Sequence, residues 1–165
     1  MKATINASVL IAFGKLGYLE LLTRLFDGLF VAKSVVEEVR GSEVYAEVER
    51  LMDAGFFRVA VASKRELLDV ISSSLGRGEA EAIAVASDVG ADLVLLDDLR
   101  ARRMARRLGL RVMGTLAALK VLIERGLIKG SPENLCTTLI EQGFWIEREL
   151  CIKILSGTSR SGRSD

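Results

Sequence analysis

Asn6, Glu38, Glu79 and Asp97 are four oxygen-bearing side chains in separate stretches of a 165-residue chain, with Asp98 adjoining the last. Asn6 follows a first short apolar segment, and Asp97 follows the most apolar one. Glu38 falls on the helix expected after the second, and Glu79 opens the helix leading to the fourth. In a parallel sheet such positions gather beyond the carboxyl ends of the strands. Converging carboxylates repel one another, and a hard divalent cation such as Mg²⁺ or Mn²⁺ relieves that repulsion through oxygen ligands. The chemistry expected there is activation of water and stabilisation of charge on a phosphate. The chain has no histidine, which removes the commonest general base and the Ser-His and Cys-His nucleophile arrangements.

Each of these residues also has a structural explanation. Glu79 and Glu81 at a helix N-terminus complement the macrodipole. Glu38 suits a solvated helix surface, and Asp97-Asp98 suits the N-cap of the following helix. Ser8 and Thr115 stand at helix starts, where capping competes with holding a metal-bound water.

The elements that must position these side chains alternate. Residues 2–6, 29–32, 56–60, 93–96 and 111–113 read as short strands. Helical spacing covers 9–15, 19–26, 42–54, 64–72, 79–89 and 99–108. Ser34, with Glu37 three residues on, has the pattern of a capping box. Gly90 and Gly109 close helices, and the remainder is helical to about residue 155, broken at the turn 129–132. Strands separated by helices indicate an α/β fold, a central parallel sheet with helices on both faces. The chain reads as a single domain over 1–156, with a core of about 1–128 and C-terminal helices over about 131–155. Residues 157–165 read as a loose tail.

Twenty-three Lys and Arg balance twenty-two Asp and Glu, a formal charge of +1, so no global field attracts nucleic acid or an anionic membrane. No apolar run reaches the roughly 18 residues of a membrane helix, and no signal-peptide pattern opens the chain. A cytoplasmic protein is expected. Cys136 and Cys151 are too few for a disulfide framework and are expected reduced. The pair Phe144 and Trp145 is expected to pack the C-terminal helices.

Ile5-Asn-Ala-Ser-Val-Leu-Ile11 resembles the opening strand-turn of PIN-domain nucleases, where Asp normally stands at the position of Asn6. Val35-Val-Glu-Glu38 is similar to the segment carrying the second acid. Gly78-Glu-Ala-Glu-Ala and Leu93-Val-Leu-Leu-Asp-Asp98 resemble the third and fourth acid motifs, with Asp98 as the alternative to Asp97. The Asp-Asp pair followed by Ala101-Arg102, the Gly114-Thr115 step and Gly143-Phe-Trp-Ile146 extend the likeness over nearly the whole chain, nearest to an uncharacterised PIN-like subfamily. The resemblance implies an α/β/α sandwich, a Mg²⁺ or Mn²⁺ site, hydrolysis of RNA phosphodiesters and a homodimer. It commonly goes with the toxin of a toxin–antitoxin pair, which makes an antitoxin protein a further expected partner. By that resemblance Asn6, Glu38, Glu79, Asp97 and Asp98 are the metal-binding candidates, with Glu38, Glu79 and Asp97 catalytic.

Asn6 departs from the family pattern. An amide oxygen can ligate but brings no charge, and a unit charge at about 4 Å is worth roughly 4 kcal/mol at an effective dielectric of 20. The expectation is therefore a metal-dependent ribonuclease weakened at its first acidic position. The competing expectation is a catalytically silent module that binds nucleic acid or protein. Arg100, Arg103 and Arg107 share one helix face beyond Asp97. They read either as a phosphate-contacting ridge or as solvated cations favoured near a helix C-terminus.

Overall fold

In the computed structural model, which describes residues 1–157, five parallel strands form one sheet in the order β3-β2-β1-β4-β5. The strands are β1 (Lys2–Ile5), β2 (Gly28–Ala32), β3 (Phe57–Ala60), β4 (Leu93–Leu95) and β5 (Arg111–Met113). The chain starts in the middle of the sheet, builds outward through β2 and β3, then returns to the other side of β1 for β4 and β5. Two adjacent strands whose connections leave in opposite directions open a crevice at their carboxyl ends. That crevice lies beyond β1 and β4, the strands that deliver Asn6 and Asp97.

The helices of this part are α1 (Ala7–Leu16), α2 (Lys33–Val39), α3 (Tyr45–Asp53), α4 (Arg65–Ser72), α5 (Arg77–Val89) and α6 (Leu99–Arg107). Residues 19–26, expected as an α-helix, instead form a 3-10 helix over Leu19–Arg24. The most telling element is α5. Residues 80 to 86 are all buried, and four of them are alanine. A helix buried on every side must be small enough to fit, and here it meets α2, α4, α6 and strands β1, β2 and β4. Ile83 and Ala86 of α5 share a core with Val94 of β4, with Leu96 just after it, and with Ala101 and Ala105 of α6. Gly90, at φ +62°, ends α5 in the left-handed conformation that glycine adopts without penalty. Thr4, buried in the middle strand, is satisfied by donating its hydroxyl to the Ala82 carbonyl at 3.0 Å.

Met1–Thr115 forms one compact unit, and the residues from Leu116 form a second. The helix α7 (Thr115–Glu124) leads into α8 (Pro132–Glu141) and α9 (Arg148–Ser156). Ser131 caps α8 through the Asn134 amide, with Pro132 at the first helical position. Cys136 on α8 and Cys151 on α9 are joined by a disulfide, which corrects the expectation of two reduced thiols. Their separation of 15 residues gave no sign of pairing, because the turn between the helices is what brings them together. Trp145 is also corrected: it lies in that turn and is 99% exposed, so it does not pack the C-terminal helices. The tail expected over 157–165 lies, from residue 158 onward, outside the described residues.

Candidate metal centre

Beyond the carboxyl ends of β1 and β4 is a cleft of about 580 Å³, lined by Asn6, Ser8, Ser34, Glu37, Glu38, Arg77, Glu79, Asp97, Asp98 and the backbone of Gly76 and Gly78. All five candidates for metal binding therefore reach one place, from four parts of the chain. The strands are zipped up to the points where two of them leave. Asn6 donates its amide to the Leu95 carbonyl at 3.1 Å, and Leu96 donates to Met113 at 2.9 Å.

Asn6 is 5% exposed, and its Oδ1 has no hydrogen-bond partner among the described residues. A buried amide oxygen without a donor costs free energy, and it faces the same space as Glu38. A Cβ placed on Gly78 would lie 2.7 Å from Glu38 Oε2 and 3.6 Å from Asn6 Oδ1. Glycine at 78 thus leaves the room in which these two oxygens approach each other. The orphaned amide oxygen and this cradle fit an oxygen-seeking divalent cation.

Asp97 is gripped from one side. Thr115 donates its amide to Oδ1 and its hydroxyl to Oδ2, both at 2.7 Å. Two charge-assisted bonds to one carboxylate fix its plane. Glycine suits the position beside it, because a Cβ on Gly114 would stand 3.0 Å from Asp97 Oδ1 and press on the carboxylate. Through these two bonds Thr115 orients Asp97. Asp98 is the N-cap of α6 and accepts from the Ala101 amide at 2.9 Å. The capping explanation therefore holds for Asp98 and not for Asp97.

Glu79 stands in the first turn of α5 and accepts from the Gly76 amide at 3.3 Å. Its pKa is raised above the ordinary value, first by burial and next by the charge of Asp98. Glu38 adds to the rise, while the Gly76 amide and Arg100 oppose it. Glu79, Asp98 and Glu38 therefore interact electrostatically across the cleft. Among the described residues, no three carboxylates or cysteines close into a ready-made metal cage; the acids share a cleft without forming a tight cluster.

Ser34 and the α6 arginines are placed differently from expectation. Ser34 does not cap α2: the strand β2 runs through Ala32, which becomes the N-cap, and Ser34 falls inside the first turn. Its hydroxyl is buried without a partner among the described residues, and the residue lines the cleft. The pattern Ser-x-x-Glu suggested a cap because local spacing cannot show where a strand stops. Ser8 lies in the first turn of α1, at the cleft. The arginines Arg100, Arg103 and Arg107 are exposed on α6 but do not line the cleft, and Arg100 donates to the Ser74 carbonyl at 3.0 Å. The cation at the cleft itself is Arg77, 4.0 Å from Glu37.

Comparison with known proteins agrees with this architecture. Residues 2–160 match the family model described as DUF3368, PIN domain. Among solved structures, the chain is similar to a PilT N-terminus domain protein, SSO1118, from the hyperthermophilic archaeon Sulfolobus solfataricus P2. The TM-score is 0.52 at 18% identity, over 79% of this chain and 97% of that one. No curated protein matches. PIN domains have a nuclease-like fold and generally use divalent metal ions. No helix among the described residues is long and apolar enough to cross a membrane. With a parallel five-stranded sheet between helices and a family match over nearly its whole length, this chain belongs to the PIN-domain family.

Proposed function

We propose that the chain is a metal-dependent ribonuclease whose metal affinity is lowered by the amide at Asn6. The observation that carries this reading is the unpartnered, buried Oδ1 of Asn6 in the same cleft as Glu38, Glu79 and Asp97. Asn6, Glu38, Glu79 and Asp97 would hold the ion, Mg²⁺ or Mn²⁺, with Asp98 adding charge from its capping position. A divalent cation bound there supplies Lewis acidity toward a phosphodiester oxygen and toward water.

The chain's own groups supply the rest. Thr115 holds the Asp97 carboxylate in one orientation. Glu79, whose pKa is raised first by burial and then by the neighbouring acids, adds to the negative charge that a cation in the cleft would neutralise, and one of the cleft carboxylates would accept a proton from attacking water. Arg77 and, further out, Arg100, Arg103 and Arg107 give phosphates a cationic approach. The family resemblance supports RNA as substrate, a cytoplasmic homodimer, one domain over 1–156, and a role as the toxin opposed by an antitoxin protein.

A second reading has its own support. The missing charge at Asn6 and the absence of a three-acid cage among the described residues favour a silent module that binds nucleic acid without cutting it. Incubation of labelled single-stranded RNA with Mn²⁺ separates the two. Cleavage by wild type that is lost in Asp97→Asn supports the ribonuclease. Retention of RNA without cleavage, in wild type and in Asn6→Asp alike, rejects it in favour of the module.

A further inference from the structure

We propose that Glu81 is a positioning residue for this cleft, setting the placement of Glu38 against Glu79 from outside the ligand set. The proposal rests on the metal-binding reading above. The helix α2, which carries Glu38, begins without a side-chain cap of its own, because its N-cap is Ala32. The amides of a first helical turn have no intrahelical acceptor and need one from elsewhere. Ser34 finds it 47 residues away, donating its amide to Glu81 Oε2 at 3.0 Å.

Glu81 is only 7% exposed. A carboxylate so buried is unfavourable unless something offsets its charge, and the positive end of the α2 dipole offers that. A local cap at position 32 would have fixed the start of α2 only to its own strand. A cap from α5 fixes α2 to α5. Three residues earlier on α5, Gly78 lies against the Glu38 carboxylate: a Cβ there would stand 2.7 Å from Oε2, so the Glu38 side chain would have to shift. One turn of α5 therefore meets α2 at both ends, bonded to its first turn through Glu81 and lying against the Glu38 carboxylate at Gly78. Glu79 lies between these two contacts in sequence, so a shift of α2 against this turn of α5 moves Glu38 relative to Glu79. The same grip holds Ser34, whose unpartnered hydroxyl belongs to the cleft wall.

The test compares Glu81→Ala, Glu81→Gln and Thr4→Val with the wild-type chain. Thr4→Val removes a buried hydrogen bond to the same helix, at Ala82, outside the cleft, and controls for destabilisation alone. Mn²⁺ affinity is measured by titration calorimetry, and hydrogen exchange of the α2 amides by mass spectrometry. Loss of outer-sphere support typically weakens metal binding by about 10–100-fold, and Glu81→Ala should fall in that range with faster exchange in α2. Glu81→Gln keeps an oxygen to accept the Ser34 amide and should recover most of the affinity. Thr4→Val should melt earlier at unchanged affinity. If Glu81→Ala binds Mn²⁺ as wild type does, whatever its melting or exchange, the proposal is overturned. Failure of wild type itself to take up Mn²⁺ overturns the metal-binding reading and this inference with it, an outcome distinct from failure of Glu81 alone.

Discussion

Asn6→Asp adds one negative charge where the structure already places an unsatisfied oxygen, and its effect should change sign with metal. Glu38 Oε2 and Asn6 Oδ1 lie 2.7 and 3.6 Å from the same point over Gly78, so they are at most about 6 Å apart. Two unit charges at that separation repel by roughly 3 kcal/mol at an effective dielectric of 20. Because Glu38 is exposed, solvent screening reduces this to about 1–2 kcal/mol. Without metal the variant should therefore melt a few degrees lower, about 2–8 °C by the usual relation between free energy and melting temperature. With metal the same charge attracts a dication, and each 1.4 kcal/mol retained after desolvation is about tenfold in affinity. The expectation is a gain of about 10–100-fold in Mn²⁺ affinity. Paired melts in EDTA and in Mn²⁺, with calorimetric titration, measure both arms. Equal Mn²⁺ affinity in the two proteins, together with equal melting in EDTA, would refute the placement of Asn6 at the metal.

Three further outcomes follow from the cleft. Glu79 has a raised pKa, so its ionisation costs folding stability as pH rises through that raised value; the cost is absent below the ordinary value of 4.5. In EDTA, Glu79→Gln should be more resistant to urea than wild type at about pH 7 and lose that advantage by about pH 4; a pH-independent difference would contradict it. Gly78→Ala suits a helix by about 0.5–1 kcal/mol, yet its Cβ would meet Glu38 Oε2 at 2.7 Å. A melting temperature that is kept, with weakened Mn²⁺ binding in a titration, is the expected pair of results. Thr115→Val deletes the hydroxyl that Asp97 accepts while sparing the amide. It should cost about 1.5–3 kcal/mol in a denaturant melt and also reduce Mn²⁺ affinity.

What the sequence made legible was whatever local pattern decides. The apolar run at Leu93–Leu95, stopped by Asp97-Asp98 and preceded by Gly90, announces a buried strand, and the structure has it so. The order of motifs brought Asn6, Glu38, Glu79 and Asp97 to one cleft. What stayed hidden depends on contacts between distant segments. The bond from the Ser34 amide to Glu81 joins elements 47 residues apart, and locally Ser34 only looked like a cap. The grip of Thr115 on Asp97 crosses from the end of β5 to the end of β4. The disulfide between Cys136 and Cys151 needs the turn between α8 and α9, which composition does not describe.

Crystals grown with Mn²⁺ and measured near the manganese absorption edge would locate the ion by its anomalous scattering. An anomalous peak among the oxygens of Asn6, Glu38, Glu79 and Asp97 is the result this account requires. A peak only at surface carboxylates elsewhere, or none at saturating Mn²⁺, would contradict it.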